Sequence, residues 1–217
     1  MNRSTPPSDS LRPPTAGQEV PCGRREERDW QYRRCILDTA LRLFAEHGIE
    51  NVNMHQIAQE AGVGQGTLYR RYAHIGEVCA DLLHTTSEQF LFSLENAPAE
   101  TAGQKPAAER LAETIGRIIE FIDDQAPLLS AINAMYNGKK KFHLHNKPIF
   151  VRLHHIAAAL MNEAIAAGDI RTADVTLTVN SLLASLSPEQ YMYHREVLGY
   201  DKKRFAEGIC RLFVHGL

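Results

Sequence analysis

Three groups of residues in this chain have the types and spacing to do chemistry. The stretch IAQEAGVGQGTLYRRY, residues 57–72, sets Gly62, Gly64 and Gly66 beside Thr67, Tyr69, Arg70 and Arg71. Glycines at that density can cradle a phosphate, and the polar residues after them can hold a polyanion. His143, His145, His154 and His155 fall close enough together to suggest a metal sensor. Cys22, Cys35, Cys79 and Cys210 supply thiols.

The surroundings of each group narrow its chemistry. A P-loop needs GxxxxGK followed by Ser or Thr, and a dinucleotide fingerprint needs a strand before GxGxxG. GVGQG has neither and lies between two helical patterns. His143 and His145 sit beside Lys139, Lys140 and Lys141, which repel a cation, and no neighbouring Asp, Glu or Cys completes a ligand set. No metal site is therefore expected. The cysteines are far apart with no CxxC or CxxH spacing, which argues against a disulfide framework or zinc ribbon and fits a reducing cytosol. No nucleophile elbow or metalloprotease spacing is present, so neither a catalytic residue nor a cofactor is expected.

The chain has 217 residues and a formal net charge of -2. Any nucleic acid must then be held by a local patch rather than by a polycationic arm. No apolar run reaches the roughly 18 residues of a membrane span, and the N-terminus lacks the apolar stretch of a signal peptide. A cytoplasmic protein with no membrane partner is expected.

The elements that must position the glycine-rich stretch all read as helix. Residues 1 to about 23 carry Pro6, Pro7, Pro13, Pro14 and Pro21 with few large apolar side chains. A disordered tail is expected there, reaching residue 28. Ile36, Ala40, Leu43 and Phe44 share one face of a first helix, Asp29 to His47, which Gly48 ends. Asn53 and Gln56 resemble a capping box that starts a second helix, Met54 to Ala61. Gly62 then permits a left-handed turn. A third helix, Gln65 to Tyr72, turns Leu68 and Tyr72 inward and leaves Gln65, Thr67, Tyr69, Arg70 and Arg71 outside. Two short helices joined by a glycine turn form a helix-turn-helix, whose second helix can enter a major groove.

These residues resemble the TetR family of transcriptional regulators over roughly residues 31–91. The family pattern appears here as Ala40 to Phe44, Gly48, Ile57 to Val63 and Gly66 to Tyr69. Asn53 stands where the family commonly has Thr and can cap equally well. Ile75 stands where a phosphate-touching Lys is common, so one backbone contact is missing. The resemblance implies DNA contact from Arg33, Arg34, Asn53, His55, Gln65, Thr67, Tyr69, Arg70, Arg71 and His74. Gln65 and Thr67 stand near the start of the helix, suited to base edges or flanking phosphate, and Arg70 and Arg71 suit phosphate. Arg33 and Arg34 can either reach phosphate or keep the first helix soluble. Trp30 can staple that helix or pack on DNA.

A fourth helix, Gly76 to Asn96, follows, then a loop from Pro98 to Pro106. Leu111, Ile115, Ile118, Ile119 and Ile122 pattern a fifth helix, and Ala126 to Tyr136 a sixth. The polar stretch NGKKKFHLHNK precedes a seventh from Pro148 to near Gly168. An eighth runs from Thr172 to Leu198 with an interruption at Pro188, and a ninth from Asp201 to His215.

The expected fold is all-α: a three-helix DNA-binding domain at 29–75, with its motif at about 54–73, joined to a larger helical domain at 76–217. The resemblance implies that the larger domain binds an effector and dimerises. Phe90, Phe121, Met135, Tyr136, Phe150, His154 and Met161 lie on helices that usually line the pocket, although such spacing also fits plain core. Ala184, Leu186, Phe205, Ile209, Leu212 and Phe213 are interface candidates, and their spacing fits an intramolecular core equally well. The implied function is a homodimeric repressor on an inverted-repeat operator of double-stranded DNA, released by a small molecule. An activator, an effector-independent regulator and a helical ligand-binding module without DNA binding are the alternatives.

Overall fold

The computed structural model describes residues 24–101, 105–136, 148–171 and 174–216. The described residues are arranged as helices and turns, with no strand among them. The fold is all-α.

Helix α1 (Arg24–His47) begins before the expected Asp29, because Arg24, Arg25, Glu26, Glu27 and Arg28 are good helix formers with no stop signal among them. Gly48 ends it at φ 80°, where a side chain would also meet Glu50. A short 3-10 turn (Ile49–Asn51) leads to α2 (Met54–Glu60). The Asn53 side chain accepts the N–H of Gln56 at 3.0 Å, which supplies the expected cap. Gly62, at φ 64°, makes the turn into α3 (Gln65–Arg71).

Helix α4 (Ile75–Thr101) runs through Pro98, so the loop expected from Pro98 begins later. Proline withdraws one donor there, while the flanking Ala97, Ala99 and Glu100 favour helix. Next come α5 (Ala107–Asp124), α6 (Ala126–Tyr136) and α7 (Pro148–Ala167), whose ends match the sequence pattern closely. The expected eighth helix is two. Asp174 caps α8 (Val175–Ser185), and Ser187 caps α9 (Pro188–Met192), with Pro188 at the first helical position where its missing N–H costs nothing. A π turn, Tyr193–Val197, continues α9. Helix α10 (Lys202–Cys210) is capped by Asp201 and ends in a second π turn, Arg211–His215.

Two apolar cores divide the molecule. The first gathers Ile36, Leu43, Ile57, Leu68, Val78 and their neighbours on α1 to α4, and also takes Leu128 and Ile132 of α6. The second gathers the apolar faces of α5, α7, α8, α9 and α10. Packing therefore crosses residue 75: the first two turns of α4 and one face of α6 belong with the N-terminal helices. Leu129, adjacent to Leu128, packs instead against the second core.

The second core closes on a polar link. The fully buried Tyr191 donates its hydroxyl to Asp123 Oδ1 at 2.6 Å, and Lys202 Nζ lies 3.3 Å from Asp123 Oδ2. Tyr191, then Lys202 and Arg195, hold the Asp123 carboxyl below the usual aspartate range against the opposing effect of burial. A depressed carboxyl stabilises the fold above its unfolded pKa of about 3.9, and that contribution is lost as pH falls through the folded value. Asp123→Asn is expected to flatten the acid side of a profile of Tm against pH. An unchanged acid slope would remove Asp123 from the acid response.

Candidate nucleic-acid interface

The helix-turn-helix is built from few buried groups. Helix α3 has seven residues, of which only Leu68 is buried, and Tyr72 beyond its end is buried as expected from the sequence. Thr67 and Leu68 both donate backbone N–H groups to Gly64 O, at 2.8 and 3.1 Å, which closes the first turn. This leaves Gln65, Gly66, Tyr69 and Arg70 exposed, with Thr67 half-buried beside them. His55, on the exposed side of α2, touches Gln65 through its ring Nδ1. The contact joins α2 and α3 across the outer surface.

The four candidate arginines differ sharply. Arg70 is exposed and makes no ion pair among the described residues. Arg71 is only 24% exposed and is paired with Asp29 of α1, whose backbone carbonyl it also reaches at 3.4 Å. Arg34 is exposed, 3.6 Å from Asp38, and lies over the Trp30 ring at 5.5 Å. Trp30 is therefore an exposed partner of Arg34 on α1.

Arg33 has a partner inside the protein. Its Nε and Nη2 meet the two oxygens of Asp81 on α4 at 2.9 and 2.6 Å, a bidentate bridge inside the protein. Tyr72 donates its hydroxyl to the same carboxylate at 2.6 Å. Burial opposes ionisation of Asp81, but Arg33 and Tyr72 outweigh it, and the carboxyl stays below its usual range. Neither Asp29 nor Asp81 stands out along the chain as a partner for these arginines. Residues 24–77 hold as many acidic as basic side chains, and nothing local says which pairs form.

Asn53 is exposed but spends its side-chain oxygen on the α2 cap. His74 is half-buried in the turn between α3 and α4. Ile75 is buried in the first core.

The effector candidates are brought together only in part. Phe90 of α4 and Phe121 of α5 stack at 4.3 Å between centroids with their planes 7° apart. Phe150 and Met161 are buried in the second core, and His154 is half-buried with its ring edge-on to His155. The side chains of Met135 and Tyr136 lie outside the described residues, as do His143 and His145. Two recesses open elsewhere on the larger part. One of about 420 Å³ is lined by Asp123, Tyr191, Arg195 and Tyr200, and one of about 290 Å³ by Arg152, His155, Ile156 and Glu163. None of the five described candidates lines either recess.

Among the dimer candidates, Leu186, Phe205 and Ile209 are buried in the chain's own second core, so a partner cannot reach them in this arrangement. Ala184 and Leu212 are exposed and Phe213 is half-buried. Leu177, Tyr193, Val197 and Leu198 are exposed apolar residues that the sequence pattern did not single out. Within the described residues, no helix is long and apolar enough to cross a membrane.

Residues 36–75 match the family described as bacterial regulatory proteins, tetR family. An HTH-type transcriptional regulator of Staphylococcus aureus (strain USA300) is 29% identical over 111 residues, 51% of this chain and 58% of the relative. The alignment thus spans little more than half of that relative's length. The Thermus thermophilus FadR structure, a TetR-family repressor in complex with lauroyl-CoA, is similar with TM-score 0.61 at 18% identity, covering 85% of this chain and 94% of that one. The Bacillus subtilis FadR structure, in complex with stearoyl-CoA, is similar with TM-score 0.57 at 22% identity, covering 85% and 98%. Both likenesses speak to the fold.

Proposed function

Because residues 36–75 carry the helix-turn-helix domain of the tetR family, we propose that the protein is a sequence-specific DNA-binding regulator of transcription, acting as a homodimeric repressor that a small molecule releases. The observation that carries this reading is the outer surface of α3. Gln65, Tyr69 and Arg70 are exposed together, while Leu68 and Tyr72 anchor the helix from behind. A helix so mounted can enter a major groove, with Gln65 and Thr67 toward base edges and Arg70 toward phosphate. Arg71 reaches phosphate only by leaving Asp29.

One recognition helix buries too little surface for tight specific binding, so two copies are needed on an inverted repeat. The exposed apolar residues of α8 and the chain's C-terminal turns, Leu177, Ala184 and Leu212, are the surface proposed for the second copy.

Release is proposed to act through α4. Its N-terminal turns are packed with the DNA-binding helices, and its middle carries Phe90 onto Phe121. Arg152 of α7 ties α4 further, meeting Glu88 at 2.7 Å and Glu95 at 2.7 and 2.8 Å. An apolar effector that parts the Phe90–Phe121 stack must displace α4 relative to α5. Lauroyl-CoA and stearoyl-CoA, held by the two similar structures, are sensible first probes. The affinity change is expected to be roughly 5- to 150-fold, the usual range of allosteric coupling.

The experiment is selection from a randomised duplex pool, followed by salt titration of the selected sequence. An inverted repeat should emerge, and sedimentation should show a dimer before DNA is added. Arg70→Ala should lower the log-log salt slope by about one unit, with a smaller change for Arg71→Ala. Failure to enrich any sequence, with a monomer in sedimentation, would overturn the reading. Enrichment without any response to the probes would leave a constitutive regulator in place of a releasable one.

A further inference from the structure

The recognition helix is too short to orient itself. It has seven residues, buries only Leu68 within its span, and receives no side-chain cap at its N-terminus. Its start is joined to α2 by the His55–Gln65 contact on the outer surface, and its C-terminal end is tied to α1 and α4 inside the domain. Tyr72 closes the helix by donating its backbone N–H to Leu68 O at 2.9 Å, with extended dihedrals (φ -131°, ψ 117°) that turn the chain toward α4. The ring is buried, and its hydroxyl ends on Asp81 Oδ2 at 2.6 Å.

Asp81 is shared. Arg33 of α1 grips both its oxygens, and Arg33 Nη2 also donates to Thr85 Oγ1 at 3.2 Å, one turn further along α4. Thr85 in turn donates its hydroxyl to the Asp81 backbone carbonyl at 3.0 Å. One carboxylate thus joins α1, the end of α3 and α4. Its side chain is only 22% exposed, so bulk salt screens these contacts less than those of a free surface pair. Bidentate arginine and O–H to carboxylate bonds are also the directional, charge-assisted kind that fixes angles as well as distances.

We infer that Asp81 is a positioning residue for DNA recognition: it touches no DNA but sets the angle at which α3 leaves the domain, by holding Tyr72 against the frame of Arg33 and α4. The inference rests on the reading of the protein as a sequence-specific DNA-binding regulator. Apolar packing of Leu68 and the Tyr72 ring keeps α3 attached, whereas the Tyr72–Asp81 bond fixes its direction. Base readout depends on direction, because a bidentate contact to a base edge fails when the helix tilts, while phosphate contacts adapt. Loss of the bond should therefore lower specificity before it lowers stability or general affinity.

The test uses the full chain and the duplex selected by the wild type. Tyr72→Phe keeps the buried ring and removes only the hydroxyl. It is expected to lower affinity for the selected duplex roughly tenfold, the effect of about one mismatched base pair, and to leave non-specific affinity and the salt slope as they were. Arg33→Lys, which keeps the charge but cannot grip both oxygens, should shift specificity in the same direction by a smaller factor. In the Tyr72→Phe background, Asp81→Asn should reduce specificity by less than it does alone, since the two act through one bond. The inference is overturned if Tyr72→Phe binds the selected duplex like the wild type. It is equally overturned if both affinities fall together in step with Tm, which is the pattern of a structural role alone. If the wild type selects no sequence at all, the regulator reading fails instead, and the two failures are told apart before any variant is made.

Discussion

Ile132→Ala is expected to destabilise the N-terminal helices by about 2–5 kcal/mol, the range for truncating a buried isoleucine. Ile132 belongs to α6, well outside the segment that matches the DNA-binding family, yet it is 3% exposed within the first core beside Leu128. Helix α6 packs along α4 and reaches the 3-10 turn at Ile49–Asn51. The Thr86 hydroxyl of α4 lies 3.2 Å from Gln125 Oε1, just before α6 begins. A cavity left at Ile132 opens between α6 and the N-terminal helices. The single tryptophan, Trp30, stands on α1 and reports unfolding at that end. Urea melts followed by Trp30 emission should shift to lower midpoint in Ile132→Ala. Leu177→Ala, at a position 64% exposed, should stay within about 0.5 kcal/mol of the wild type. A Trp30 midpoint unmoved by Ile132→Ala would mean that α6 does not support the N-terminal helices.

With α3 facing DNA as proposed, Gly66→Leu should abolish most binding to the selected duplex and leave the fold intact. Gly66 lies in the first turn of α3, its φ is not in the left-handed region, and a Cβ built there meets nothing within 4 Å. The isolated chain gives no steric reason for glycine, which costs about 0.5–1 kcal/mol against alanine inside a helix. Close approach of another molecule supplies one, since Gly66 lies between Gln65 and Thr67 on the surface proposed to face DNA. Leucine there would hold the α3 backbone away from the groove and lose several contacts at once. A loss on the order of 100-fold is expected, equivalent to one or two mismatched base pairs. Gly66→Ala should fall between the two, with Tm equal to or above the wild type. Wild-type affinity for the selected duplex in Gly66→Leu would show that this turn of α3 faces away from the DNA.

Much of the helix-turn-helix could be read from single residues because each acts within about one turn of itself. Asn53 caps α2 by reaching an N–H three residues on. Gly48 and Gly62 terminate helices through their own positive φ. The apolar face of α1 comes from spacing alone, and so does the inward pointing of Leu68 and Tyr72. Two local readings failed at their edges. The start of α1 and the passage of α4 through Pro98 depend on whether a run of moderate helix formers outweighs a missing stop signal or a lost donor.

What the amino-acid order determined by itself was therefore most of the helices, the glycine turn and the outward face of α3. Partnership was decided only in three dimensions. Arg33 meets Asp81 across 48 residues, and Arg71 meets Asp29 across 42. Charges are balanced and abundant in this region, so an arginine bound for phosphate and one bound for an internal carboxylate look alike along the chain. Phe90 and Phe121 lie on different helices, and their stack depends on how α4 and α5 cross. Leu186, Phe205 and Ile209 could have faced a second copy but are buried in the chain's own core. The physical reason is common to all three cases. Helical periodicity tells which side of a helix is apolar, while the neighbour that covers that side is chosen by how the helices cross.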